Sequence, residues 1–276
     1  MRIALCNEVL GQMPLERQCE YAARLGYDGL EIAPYTLSDT PERISSADAA
    51  RIRGIIESSG LVVTGLHWLL VKPDGLSLTD PDASVRGRTI DVMIRLTTLC
   101  AELGGAVLVH GSPAQRQIAD GETHATALAR VRDGLAQVAV AATRTGVIYC
   151  IEPLARQQTA LVNTVAEAAE LVRSIDQPGL RTMIDCSAAG LTEADSIPAL
   201  LDRWLPTGLV AHIQVNDPNR RGPGQGEVKF APVIAALKRH HYAGTIAVEP
   251  FDYFPDGPSV AAFAAGYLRG LGEAED

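Results

Sequence analysis

One joint recurs along the chain. An amphipathic segment ends, a glycine follows, and a short apolar run begins. The joint stands at Gly26, Gly60, Gly104, Gly146, Gly179, Gly208 and Gly244, at intervals of 29 to 44 residues. Glycine just past a helix end supplies the left-handed backbone that stops the helix. The apolar run after it reads as a strand buried on both faces. Seven joints and the opening run 2–6 predict eight strands. The segments between them predict helices. Residues 45–59 place Ala49, Ile52, Ile55 and Ile56 on one face, and 85–103 do the same with Ile90, Met93, Ile94, Thr97 and Cys100. Thr164, with Glu167 three residues on, makes a capping box that opens another helix. Eight β/α units in order predict an α/β fold, a (β/α)8 barrel forming a single domain over residues 1–276. The competing fold, a doubly wound open sheet, would carry a G-x-G-x-x-G turn, which is missing after the first strand.

Helix-to-strand connections are tight, whereas several strand-to-helix connections, such as 72–83 and 216–229, are long and rich in Pro, Gly and Asp. Barrel active sites are built on that second set, at the C-terminal strand ends. The fifth strand ends at Glu152-Pro153, the sixth at Asp185, the seventh carries His212, Gln214 and Asn216, and the eighth ends at Glu249-Pro250. Side chains alternate along a strand, so the apolar neighbours face the helices and these polar groups face the barrel axis. Glu, Asp, Gln (or His) and Glu thus converge on one point. Three carboxylates in one place repel, and a divalent cation removes the conflict. Carboxylates with an amide oxygen or imidazole suit Mn²⁺ or Mg²⁺, with Co²⁺ or Zn²⁺ as further candidates. Such an ion, chelating a carbonyl and the neighbouring hydroxyl, acidifies the adjacent C–H by stabilising an enediolate. Glu152 and Glu249 then form a pair in which one carboxylate takes the proton and the other returns it.

Composition narrows the classes. Lys plus Arg is 24 and Asp plus Glu is 33, giving a net charge of −9. That speaks against a nucleic-acid partner, which calls for a basic face. The 47% of hydrophobic residues excludes a disordered chain. Five widely spaced cysteines contain no C-x-x-C pair. They read as reduced thiols, and the apolar start before Asn7 is too short for a secretory leader. No uncharged apolar stretch is long enough for a membrane span. A cytoplasmic enzyme of a small molecule is the expectation, with the Ala- and Leu-rich outer helices favouring a homo-oligomer or a place in a complex.

The segments GYDGLEIAP (26–34), EPLARQQTALVNT (152–164), MIDCSAAG (183–190) and HIQVNDPNRRGPGQGEVKF (212–230) resemble, in order and spacing, the xylose isomerase-like TIM barrels, among them the ketose 3-epimerases and hydroxypyruvate isomerases. The resemblance implies one divalent metal ion, Mn²⁺ first among the candidates, held by Glu152, Asp185, Gln214 and Glu249, and a carbohydrate substrate. Gln214 matches the hydroxypyruvate isomerase version of a position that is usually His. His212 would then lie one layer away, hydrogen-bonded near the metal, and Arg220 matches an arginine that contacts substrate. Three departures stand out: Ala188 replaces the usual histidine after the metal-binding Asp, Ala155 replaces Asn, and Gln158 replaces a sugar-contacting glutamate. They imply a substrate larger or less polar than a free ketohexose.

His67 and His110, at the ends of the third and fourth strands, are further expected pocket residues, and Glu31 is a weaker one. His124 and the pair His240-His241 read as surface or capping residues, and Cys186 as packing. The Gly-rich run 222–226 reads as a mobile loop over the site. The leading function is a metal-dependent isomerase or epimerase of a sugar-like hydroxy-ketone. The alternative is a lyase or dehydratase that begins with the same proton abstraction on a keto-sugar, keto-glycoside or inosose. A metal endonuclease would need more histidines and a basic groove.

Overall fold

A computed structural model describes residues 1–273. Eight parallel strands close into a barrel in sequence order: β1 (Arg2–Cys6), β2 (Gly29–Ile32), β3 (Val62–Leu66), β4 (Val107–His110), β5 (Ile148–Ile151), β6 (Leu180–Asp185), β7 (Val210–Val215) and β8 (Thr245–Val248). The outer layer runs α1 (Leu15–Arg24), α2 (Ser46–Ser58), α3 (Ala83–Leu103), α4 (His124–Thr145), α5 (Val165–Ile175), α6 (Cys186–Thr192), α7 (Ile197–Trp204), α8 (Phe230–Arg239) and α9 (Gly257–Glu273). The unit after β6 holds two helices instead of one, because Asp185 caps α6 directly at the strand end. Among the described residues no helix is long and apolar enough to cross a membrane.

Five of the seven glycine joints work as expected, with positive φ at Gly26, Gly60, Gly104, Gly146 and Gly208. The other two do something else. Asp176 and His241 take the left-handed turn at those helix ends. Gly179 instead admits the backbone of α4, since a Cβ there would lie 2.5 Å from Thr143 N and 2.6 Å from Ala139 O. Gly244 lets the Tyr242 ring lie against the chain. The Thr164 cap forms, its hydroxyl accepting from Glu167 N at 3.1 Å. The Glu167 carboxylate, however, accepts from Asn163 N, one residue before the cap.

The main core lies between sheet and helices. A smaller cluster of Val107, Val109, Cys150 and Met183 fills the barrel interior. Both Cys150 and Met183 lie two residues before a candidate ligand, at Glu152 and Asp185, so period-two alternation stacks the polar groups above an apolar plug. All five cysteines are buried and unpaired.

Candidate active site

Glu152, Asp185 and Glu249 line one cavity of about 420 Å³ at the C-terminal end of the barrel. Each is held by a neighbouring strand end. Glu152 N donates to His110 O at 3.3 Å, and Arg116 donates to the Glu152 carbonyl at 3.0 Å. The carboxylate swings into space that only a glycine leaves: a Cβ on Gly111 would overlap Glu152 Oε2. Asp185 Oδ1 accepts from Ala188 N at 2.7 Å and Oδ2 from Asn216 Nδ2 at 2.7 Å. That same amide donates to the Glu249 carbonyl at 2.9 Å, while Asn216 Oδ1 accepts from Ser187 N. Asn216 therefore ties β6, β7 and β8 together at the rim.

Gln214 sits beside Asp185 in the β6–β7 register and is fully buried. Its amide nitrogen donates to Glu31 Oε1 at 2.9 Å, which leaves its oxygen buried and without a hydrogen-bond partner. An orphaned buried carbonyl oxygen is costly unless something electropositive faces it. Glu31 in turn lies 2.8 Å from His212 Nε2. Burial pushes the Glu31 carboxyl upward, but His212, His67 and the Gln214 amide outweigh it and hold Glu31 below the usual carboxylate range. Glu31 stays charged and fixes the Gln214 amide.

The cavity carboxylates behave in the opposite way. Burial, then Asp185, push Glu152 well above the ordinary range, with Arg116 pulling back. Burial, then Glu152 and Asp185, do the same to Glu249. Burial brings Asp185 up to about 6 against the pull of its hydrogen bonds. Three acids raised by burial, with Asp185 raising both glutamates, require protons or a cation. The donor set of three carboxylates and one free amide oxygen fits a hard divalent ion of the Mn²⁺ or Mg²⁺ kind.

The other expected residues divide. Gln158 and Arg220 line the cavity. Gln158 Oε1 accepts from Ala155 N at 3.1 Å, and Arg220, with φ of +71°, holds its guanidinium 5.7 Å from the Phe251 ring centre. His67 is fully buried and does not line the cavity, with Nε2 3.0 Å from Glu8 and 3.9 Å from Glu249. His110 and His212 do not reach it either. His110 shares the outward face of β4 with Leu108, and its Nδ1 lies 2.9 Å from the Tyr149 hydroxyl. Gly111, one residue on, takes the inward place. His212 has the inward parity but pairs with Met183, one layer below Gln214. The run 222–226 is tied to the segments beside it, with Asn219 donating to Gln225 O and Gln225 donating to Phe254 O. No residue of 222–226 lines the cavity; Pro218 and Arg220, earlier in the same connection, do. His240 lies 2.7 Å from Asp202 at the end of α8, and Cys186 is packed in the core.

Sequence reasoning missed Glu8, Arg116 and Phe251. Glu8 lies two residues past β1, on the parity of Cys6, and that alternation was the one available signal. Arg116 is fully buried in a 3-10 turn that carries no periodic pattern. Phe251 and Trp68 form an aromatic wall, their ring centres 5.6 Å apart.

Similarity to known proteins points the same way as the fold. The chain is 28% identical over 238 residues to a D-psicose 3-epimerase of Agrobacterium fabrum, covering 84% of this chain and 78% of the relative. It is 24% identical to a 3-dehydro-D-guloside 4-epimerase of Escherichia coli, covering 90% and 92%. Among solved structures, an Escherichia coli 3-keto-D-glucoside 4-epimerase superposes with a TM-score of 0.84 at 22% identity, over 98% of this chain and 99% of that one. Residues 19–271 match the xylose isomerase-like TIM barrel family, and the chain belongs to it.

Proposed function

We propose that this protein is a divalent-cation-dependent epimerase or isomerase of a sugar or sugar-like hydroxy-ketone. The observation that carries the reading is the placement of buried Glu152, Asp185 and Glu249 on one cavity, with Gln214, its side-chain oxygen unpartnered, next to Asp185 in the β6–β7 register. Relatives named as ketose 3-epimerases and a guloside 4-epimerase support it. Glu152, Asp185, Gln214 and Glu249 would hold the ion, Mn²⁺ in the first instance, with Mg²⁺, Co²⁺ or Zn²⁺ as substitutes. The ion supplies positive charge for the substrate's carbonyl and hydroxyl oxygens. Glu152 and Glu249, from strands three places apart, take and return the proton at the carbon beside the carbonyl. Arg116 holds the Glu152 backbone in place. Arg220 and Gln158 contact the substrate from the rim, and the aromatic wall of Trp68 and Phe251 excludes water. His67 and His212 act from below, the latter through Glu31 on Gln214. A cytoplasmic location and assembly with further copies complete the reading.

The test is a screen of keto-sugars and keto-glycosides in deuterated water with Mn²⁺-loaded protein. Deuterium enters the carbon beside the carbonyl, and Glu152→Gln and Glu249→Gln each abolish the exchange. Full exchange in both variants overturns the mechanism.

One observation favours a second reading. The cavity wall includes an apolar group of Leu154, Ala155, Ala188 and Leu191. That apolar stretch suits a glycoside whose aglycone leaves after the same proton abstraction, making the enzyme a lyase. Release of an aglycone or of water, instead of simple exchange, marks that outcome.

A further inference from the structure

Glu249 belongs to a second constellation as well. Cys6, Glu8, His67 and Glu249 are all buried, and each offers one ligand atom within 4.8 Å of the other three. His67 is completely buried and the Glu8 side chain is 6% exposed. His67 Nδ1 and Glu8 Oε1 have no hydrogen-bond partner, and His67 Nε2 and Glu8 Oε2 face each other as an ion pair without hydrogen-bond geometry. His67 Nε2 lies 3.0 Å from Glu8 Oε2 and 3.9 Å from Glu249 Oε1. Ligands bonded at ~2.0–2.3 Å to one ion stand roughly 3–3.5 Å apart, so small side-chain shifts close this set. The Cys6 thiol has one weak contact, to Glu31 Oε1 at 3.8 Å.

We propose that Cys6, Glu8 and His67, with Glu249 as a shared ligand, form a second divalent-cation site. A thiolate and an imidazole beside two carboxylates select a borderline ion, Zn²⁺ or Co²⁺, over the harder Mn²⁺ or Mg²⁺. An ion here is bonded by His67 Nε2 and Glu8 at once and offsets the two buried carboxylates, which the His67–Glu8 ion pair alone does not. It also adds positive charge on the side of Glu249 where no arginine stands. An approach exists: Glu8 lines a surface groove with Asn7, Gln18, Tyr35 and Thr36. The site goes beyond the reaction proposed above and shares with it only Glu249.

The test is a Co²⁺ titration of chelator-stripped protein, followed by metal analysis and absorption spectroscopy. Two Co²⁺ per chain are expected, with a near-ultraviolet thiolate-to-cobalt band. Glu8→Gln and His67→Ala each reduce the count to one, and Cys6→Ser removes the band. Asp185→Asn also leaves one ion but keeps the band. In the unmutated protein, anomalous diffraction at the cobalt edge shows two peaks flanking Glu249, a readout that needs no variant to fold. One Co²⁺ per chain without the band, lost in Asp185→Asn and retained in Glu8→Gln, overturns the second site and leaves the proposed reaction standing. A single ion lost in Glu8→Gln and retained in Asp185→Asn overturns instead the ligand set of that reaction.

Discussion

The two glutamates of the cavity are the same residue in the same kind of place, each at a strand end and each followed by proline. Their surroundings differ. Behind Glu152 stands Arg116, a fully buried guanidinium that donates to the Glu152 carbonyl and whose Nε and remaining terminal nitrogen have no partner. Burial lowers that guanidinium to about 10, with Glu152 and Tyr149 pulling it back up. Behind Glu249 stand another carboxylate, Glu8, and the imidazole of His67, with no arginine. Glu152 therefore has a cation built into the protein, while Glu249 must find its counter-charge elsewhere. Chemical symmetry in the sequence conceals electrostatic asymmetry in the fold.

Breaking the Glu152 side gives the largest expected effect. Arg116→Leu leaves the buried Glu152 carbonyl without its donor and empties buried space, and should cost about 2–5 kcal/mol. Urea unfolding of variant and parent measures it. Unchanged stability would mean that Arg116 is not a partner of Glu152. Stripping the metal comes next. A ligand present at 100 times its Kd adds about 2.7 kcal/mol to stability, so chelation should lower Tm by several degrees, and Mn²⁺ should restore it. In the Asp185→Asn variant Mn²⁺ should restore little of the Tm lost on chelation.

Gly111→Ala places a methyl group where the Glu152 carboxylate lies. Overpacking of this kind costs about 1–3 kcal/mol. Turnover should fall by at least the factor that such an energy represents, because the displaced group is the one proposed to move the proton. Equal turnover in variant and parent would show that Glu152 has another productive position. The smallest effect belongs to the frame. Thr164→Ala removes the cap of α5 and should cost about 1 kcal/mol with kcat and KM unchanged.

Much of this architecture is legible in one dimension. Five of the glycine joints, the Thr164 cap and the strand-end acids follow from local rules of helix termination and side-chain alternation. The same alternation could have corrected His110, which shares parity with Leu108 and so faces the helices. His212 is a different case, expected one layer from the ligands and found one layer below Gln214. Its parity is right, but its depth depends on how β7 is staggered against β6, and register is a property of the pair of strands. Gln214 was legible as a candidate ligand. The reason its oxygen is free was not, because the amide is fixed by Glu31, 183 residues away.

The sequence by itself determined the number and order of β/α units, the end of the barrel at which chemistry gathers, and the identity of the acids there. Period and capping are short-range, so they survive in the string of residues. Only the tertiary structure decided which of those groups share a cavity, which sit a layer below, and which receive a buried counter-charge. Burial and Coulomb interactions act through space, and Glu8, Glu31, His67, Arg116, Gln214 and Glu249 meet only when the barrel closes.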